Sequence, residues 1–304
     1  MKKSIFMLFV CIGISLNAQK NGDDFMLFFL GGQSNMEGYG YVKELPDSLS
    51  KKMKDVYIFQ GNTVVDGTLE GGGDGLWSKL QPGHGTGFAS DGKNNNYSDR
   101  FGAELSFAYD LKQKYPDKKI AIIKYARGGT SIDSVAMVDW AGCWEPDVNS
   151  RKGLNQYDYF LKTLDNAMKI HDINGDGKED TLIPAGILWM QGEQDAAATE
   201  EVALRYYDHL KRLMDLIRAS LRKDDLPVVV GKISDSWSNE SGKVWKYGEL
   251  VQYAEEKYAA TDKNAAIVRT TRYYKYSDPW HYNTAGYIDF GKQFAKKMIA
   301  LLEK

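Results

Sequence analysis

A serine becomes a nucleophile when a base takes its proton, a third group orients that base, and donors meet the oxyanion. Ser34 lies in Gly31-Gly32-Gln33-Ser34-Asn35-Met36-Glu37-Gly38, directly after the apolar run 25–30. That run reads as a buried strand ended by the two glycines. Ser34 is thereby lifted to the carboxyl edge of a sheet, where open α/β proteins place their ligands. Serine at such a turn also serves as a helix cap, and one short motif does not separate the two roles. The chain offers four histidines as the base: His84, His171, His209 and His281. His209 lies within an amphipathic helical stretch. His171 sits at a helix end, where an imidazolium favours the dipole, and His84 lies in the loop Pro82-Gly83-His84-Gly85. His281 differs, because Ser277-Asp278-Pro279-Trp280-His281 puts a carboxylate three residues before it. One turn of chain brings that carboxylate to Nδ1 and leaves Nε2 for the serine. Asp278 as a cap of the final helix fits less well, since the helical pattern begins near Thr284.

Two further stretches end apolar runs in polar groups. Ile187-Leu188-Trp189-Met190-Gln191-Gly192-Glu193-Gln194-Asp195 closes with two side-chain amides and two carboxylates, where a substrate oxygen could be met. Tyr125-Ala126-Arg127-Gly128-Gly129-Thr130-Ser131 passes from a strand into glycines, which let the backbone approach a ligand and offer it an N–H.

Positioning these groups requires a regular scaffold. Strand candidates at 25–30, 56–59, 120–125, 185–190, 228–233 and 265–269 alternate with helical patterns at 102–115, 155–171, 200–221, 247–260 and 284–302. That alternation predicts βαβ units around a parallel sheet. Leu210, Leu213, Met214 and Ile217 give one helix an apolar face. Residues 61–99 and 133–152 read as surface excursions, the kind of loop that carries binding groups. With 43% hydrophobic residues the chain can bury a sizeable core, and a formal net charge of −2 argues against a nucleic-acid groove or a polybasic membrane surface.

Taken together, Gly32-Gln33-Ser34-Asn35-Met36, Ala126-Arg127-Gly128-Gly129-Thr130-Ser131, Trp189-Met190-Gln191-Gly192-Glu193-Gln194-Asp195 and Asp278-Pro279-Trp280-His281 occur in that order. In this they resemble the SGNH hydrolase superfamily, and within it carbohydrate esterases of the sialate O-acetylesterase and acetylxylan esterase type. The resemblance implies an α/β fold: a three-layer α/β/α sandwich, flavodoxin-like, with a central parallel sheet of about five strands. It implies Ser34 as nucleophile, His281 as base and Asp278 as its orienting partner. The oxyanion hole would use the backbone N–H of Ser34, a glycine N–H from Gly128 or Gly129, and the side-chain amide of Gln191. Gln33, Asn35, Arg127, Glu193 and Trp280 would support or line the substrate position, with Glu193 paired to Arg127. The wider superfamily has asparagine where this chain has Gln191, and the carbohydrate esterase subgroup shares the glutamine.

The expected activity is removal of acetyl groups from acetylated poly- or oligosaccharides, with no metal or cofactor in catalysis. One alternative is the same chemistry on O-acetylated sialic acid. Another is a carbohydrate-binding protein that keeps the fold without catalysis; the intact Ser34, Asp278 and His281 speak against it. A lipid or thioester hydrolase would want an apolar acyl channel, which the glycine-rich loops do not suggest.

The first residues read as an export signal. Lys2-Lys3 form a basic start, residues 5–16 an apolar stretch too short for a span with these flanks, and Ala18 a small residue before the cut. The expectation is a signal peptide at 1–18, one domain at 19–304 and a secreted or periplasmic location. Cys143 would then be the remaining cysteine, so the mature fold would have no internal disulfide. Residues 172–180 place Asp172, Asn174, Asp176, Lys178 and Asp180 at alternate positions with Gly177 at the sixth, the first half of a structural calcium loop. Ile183 stands at the twelfth position, where a bidentate glutamate belongs, so an acidic turn explains the pattern equally well. Trp77, Trp144, Trp237 and Trp280 fall in predicted loops, where a ring either stacks on sugar or packs.

Overall fold

A computed structural model describes residues 22–63, 71–148, 154–240 and 242–304. The expected signal peptide at 1–18 lies outside the described residues. One seven-stranded sheet organises the chain, from β1 (Asp24–Gly32), β2 (Val56–Gln60), β3 (Ser78–Lys79), β4 (Lys119–Ala126), β5 (Thr181–Met190), β6 (Val228–Gly231) and β7 (Ala265–Val268). Their order is β7-β6-β5-β1-β4-β2-β3, parallel throughout except for the short β3, which runs antiparallel to β2. This is the expected α/β/α architecture, with six parallel strands where about five were expected. β3 escaped the sequence pattern because two residues, Ser78 and Lys79, carry no periodicity.

Alternation along β1 builds the layers, because successive side chains of a strand point to opposite faces. Phe28 packs edge-on against Phe107 of α2 (Glu104–Lys114), while Phe29 meets Phe160 of α3 (Gln156–Met168) on the other face. α7 (Thr284–Leu302) lies with α2, and its Met298 reaches Gly186 of β5. On the opposite face Tyr157 of α3 shares a hydrogen bond with Ser220 of α5 (Glu200–Ser220), and α6 (Gly248–Thr261) packs on α5. A strand buried on both faces cannot alternate with polar residues, which is why β1 reads as a continuous apolar run.

α3 and α7 start on capping side chains. The Asn155 side chain accepts the N–H groups of Tyr157 and Asp158 at the start of α3, and Asn283 accepts that of Gly286 at the start of α7. α7 therefore begins after His281, and Asp278 is not its cap. In the 172–180 loop the carboxylates turn onto their own backbone. Asp172 accepts from Gly175, Asp176 and Gly177, and Asp180 from Asp23, Ile173 and Asn174. Asp176 pairs with the Lys178 ammonium at 2.9 Å. Among the described residues no group of three His, Cys, Asp or Glu side chains is placed to hold a metal. These are the hydrogen bonds of an acidic turn.

Candidate active site

The sheet brings the four motifs to one edge. Gly32 is in register with Ala126 of β4 on one side and Met190 of β5 on the other, so three strands release their chains at the same level. Gly32 has φ +145°, and a Cβ there would collide with the Met190 carbonyl. No other residue makes this turn without strain. The chain then closes α1 (Ser34–Glu37), with Ser34 as its first residue and the Ser34 carbonyl accepting from Gly38. Asp278 and His281 arrive from the segment beyond β7.

The candidate base, His281, is held on three sides. His281 Nδ1 donates to Asp278 Oδ2 at 2.8 Å, which leaves Nε2 as the acceptor. Asp278 Oδ1 accepts the N–H groups of Trp280 and His281, each at 2.8 Å. Tyr39 lies flat on the imidazole, with ring centroids 3.6 Å apart and planes within 4°. Burial pushes the His281 pKa below the ordinary imidazole value, against the raising pull of Asp278. Burial would raise the Asp278 carboxyl, but the bond from His281 and the Trp280 N–H keep it below the usual range. His281 is therefore neutral near pH 7 and competent as a base. Ser34 and His281 line the same cavity of about 670 Å³. The structure draws no hydrogen bond between Ser34 Oγ and the imidazole. Such contacts in hydrolases commonly tighten only around substrate.

Donors around Ser34 are arranged differently from the expectation. Gln191 is fully buried and does not line the cavity. Its Nε2 donates to Thr130 O at 2.8 Å, Asp195 Oδ2 at 2.6 Å and Gln33 Oε1 at 3.2 Å, so the amide is not free for an oxyanion. Gln33 holds the cavity wall instead. Its Oε1 accepts from Gln191 Nε2, Gly192 N and Gln194 N, and its Nε2 has no acceptor among the described residues. Gly128 is likewise engaged, its N–H donating to Glu37 Oε2 at 2.9 Å. The N–H groups of Ser34 and Gly129 have no acceptor among the described residues. Gly129 has φ +73°, and the Trp140 ring occupies the space a Cβ would need.

Glu193 pairs with Asn35 rather than Arg127. Asn35 Nδ2 donates to Glu193 Oε1 at 2.8 Å and to the Trp280 carbonyl at 3.1 Å, while Asn35 Oδ1 accepts from Tyr287. One buried amide thus fastens the serine motif to the third motif and to the histidine loop. Burial pushes the Glu193 carboxyl up to about 7, partly offset by the Asn35 bond. Arg127 lines the cavity and donates through Nη2 to the Trp140 carbonyl.

A family model described as carbohydrate esterase, sialic acid-specific acetylesterase matches residues 24–300. The chain belongs to that family. It is a carboxylic ester hydrolase acting on carbohydrate acetyl esters, which sets aside a purely binding role. No curated protein is a significant match to the sequence. Among solved structures, a protein from Arabidopsis thaliana is 20% identical with a TM-score of 0.62, over 90% of this chain and 98% of that one. A carbohydrate acetylesterase from Xanthomonas citri is 16% identical with a TM-score of 0.60, over 91% of this chain and 57% of that one. NanS is 15% identical with a TM-score of 0.58, over 93% and 99%. At these identities the likeness is one of fold.

The esterase's cavity has walls that the sequence did not single out. Beside the expected Trp280, Tyr39, Trp140 and Trp245 supply aromatic faces, and Glu37, Thr86 and Gln194 supply polar groups. Trp144, four residues from Trp140, is fully buried edge-on against Trp189, and Trp77 is also core. Glu37 is held from below, because the buried Lys124 ammonium donates to the carbonyls of Glu37 and His84 and to Glu104 Oε2. Of the other histidines, His84 is buried with Nδ1 on Gln60 Oε1, and burial lowers its pKa to about 3. It faces the core and not the serine. Burial pushes the Cys143 thiol up to about 12, which removes it as a rival nucleophile. No helix among the described residues is long and apolar enough to cross a membrane.

Proposed function

We propose that the esterase is an exported serine O-acetylesterase that deacetylates neutral poly- or oligosaccharides through an acetyl-serine intermediate. The pairing of His281 Nδ1 with Asp278 at 2.8 Å, in the cavity that holds Ser34, carries this reading. In the first step the Ser34 proton passes to His281 Nε2 while Oγ attacks the acetyl carbonyl. The sugar oxygen then leaves with the proton from the imidazolium, and water releases acetate by the reverse sequence. The oxyanion would be met by the N–H groups of Ser34 and Gly129 and by Gln33 Nε2. Gln191 acts behind them, fixing the Gln33 amide so that its NH₂ points outward. Gln33→Ala is expected to lower kcat on an aryl acetate roughly 10²- to 10³-fold, with KM nearly unchanged. An unaltered kcat in this variant would remove the Gln33 side chain from the hole.

Two observations support a neutral sugar. Arg127 is the only Lys or Arg lining the cavity among the described residues, and it is tied to the Trp140 carbonyl. The Glu37 carboxyl shares the same wall, an unfavourable neighbour for a sugar carboxylate. The family's sialic acid-specific description favours the second reading, O-acetylated sialic acid. Acetate release from acetylated xylan, acetylated monosaccharides and O-acetylated sialic acid separates them. The neutral substrates are expected to give kcat/KM at least ~10-fold higher, about 1.4 kcal/mol of discrimination. A preference for the sialic acid ester would reverse the assignment. The basic and apolar start of the chain supports export.

A further inference from the structure

We infer that a second carbohydrate subsite lies beside the acetyl-binding cavity, on residues 234–240 and 242–248, and receives a neighbouring ring of the sugar chain that carries the ester. This rests on the proposed carbohydrate substrate and names its extent. Trp245 is a wall common to the catalytic cavity and to a second cavity of about 220 Å³, which is also lined by Asp235, Trp237, Lys243, Glu249 and Arg272. One indole therefore borders both the cavity at Ser34 and a second pocket beside it.

Trp237 has the character of a ligand-facing ring. It is 62% exposed, and its backbone φ is +57°, a left-handed conformation that a large side chain rarely adopts. Packing would bury an indole; here the backbone is held in an unfavourable state with the ring in water. Such strain persists only where surrounding bonds impose it, and it concentrates at ligand clamps. The bonds are present. Asp235 Oδ1 accepts the N–H groups of Trp237 at 2.7 Å and Val244 at 3.1 Å, and Oδ2 accepts that of Trp245 at 2.8 Å. Trp245 Nε1 donates to Ser234 O at 3.1 Å. Ser236 Oγ donates to the Pro279 carbonyl at 2.8 Å, which fastens this segment to the loop carrying Asp278 and His281.

The chemistry fits a pyranose. The Lys243 ammonium lies over one face of the Trp237 ring, 5.6 Å from its centroid, and the opposite face is the flat apolar one offered to a sugar. Glu249, ion-paired with Lys243, and Arg272, which donates to the Tyr273 hydroxyl, form the polar rim of this pocket. A single sugar ring at the catalytic cavity would not use these groups; an oligosaccharide would.

The test compares kcat/KM for an aryl acetate, an acetylated monosaccharide and an acetylated tetrasaccharide of the same sugar, in wild type, Trp237→Ala and Trp237→Phe. Wild type is expected to favour the tetrasaccharide. Trp237→Ala should lower kcat/KM on the tetrasaccharide about tenfold, the upper end for one aromatic contact. The loss should fall mainly on KM, with the two smaller substrates unchanged and with partial recovery in Trp237→Phe. An unchanged ratio of tetrasaccharide to monosaccharide in Trp237→Ala overturns the subsite while leaving the esterase reading intact. Equal losses on all three substrates overturn it too, because they would mark a structural role. Turnover of the aryl acetate with none of either saccharide overturns both readings.

Discussion

Ser34→Ala is expected to lower acetate release from an aryl acetate by roughly 10⁴- to 10⁶-fold, the scale on which a serine hydrolase depends on its nucleophile. The methyl group cannot accept an acetyl, so the two-step route closes. What remains is water attacking a carbonyl still met by the oxyanion donors. The fold should not be disturbed. The Ser34 side chain makes no hydrogen bond among the described residues and borders a cavity, so its loss creates neither an orphaned polar group nor a packing void. A melting temperature close to wild type would assign the lost rate to chemistry. A folded variant that keeps its activity would remove Ser34 from the mechanism.

Asp278→Asn should cost about 10⁴-fold in kcat, as expected for a wrong imidazole tautomer. Asp278 Oδ1 already accepts two backbone N–H groups and Oδ2 accepts His281 Nδ1–H. An asparagine that keeps its oxygen on the backbone turns its NH₂ toward Nδ1. The proton then moves to Nε2, where it blocks acceptance from Ser34. The pH profile gives an independent reading. Lowering the pH protonates His281 and stops catalysis, and because burial depresses its pKa, the wild-type acid limb should lie below the ordinary imidazole value of about 6.5. Removing the carboxylate removes the pull that raises this pKa, so the residual activity of Asp278→Asn should fall off at still lower pH. A wild-type limb above pH 7, or one that does not move in the variant, would count against His281 as a base oriented by Asp278.

The long elements were legible because their patterns are local. Apolar runs at 25–30 and 120–125 mark strands buried on both faces, and Leu210, Leu213, Met214 and Ile217 mark the inner face of α5. Short apolar strands such as β2, β6 and β7 were still legible, but three other short elements were not. β3, α1 and α4 (Glu193–Ala197) are set by what they pack against and are too short for a period to register. Trp140 and Trp144 show the same limit in one loop. Both lie in the surface excursion expected at 133–152, yet one roofs Gly129 and the other is sealed against Trp189.

The sequence by itself singled out the groups proposed to react in this esterase. A carboxylate three residues before a histidine is a local device, and a serine after an apolar run and two glycines is another; each carries its meaning within a few residues. The tertiary structure decided which amides remain free. Gln191 and Gly128 have the right chemistry, but Gln33, Asp195 and Glu37 take their donors. The contact that fixes Gln33 spans 158 residues. A hydrogen-bond donor is available only if nothing else in the fold has claimed it, and that competition is set by packing between distant segments.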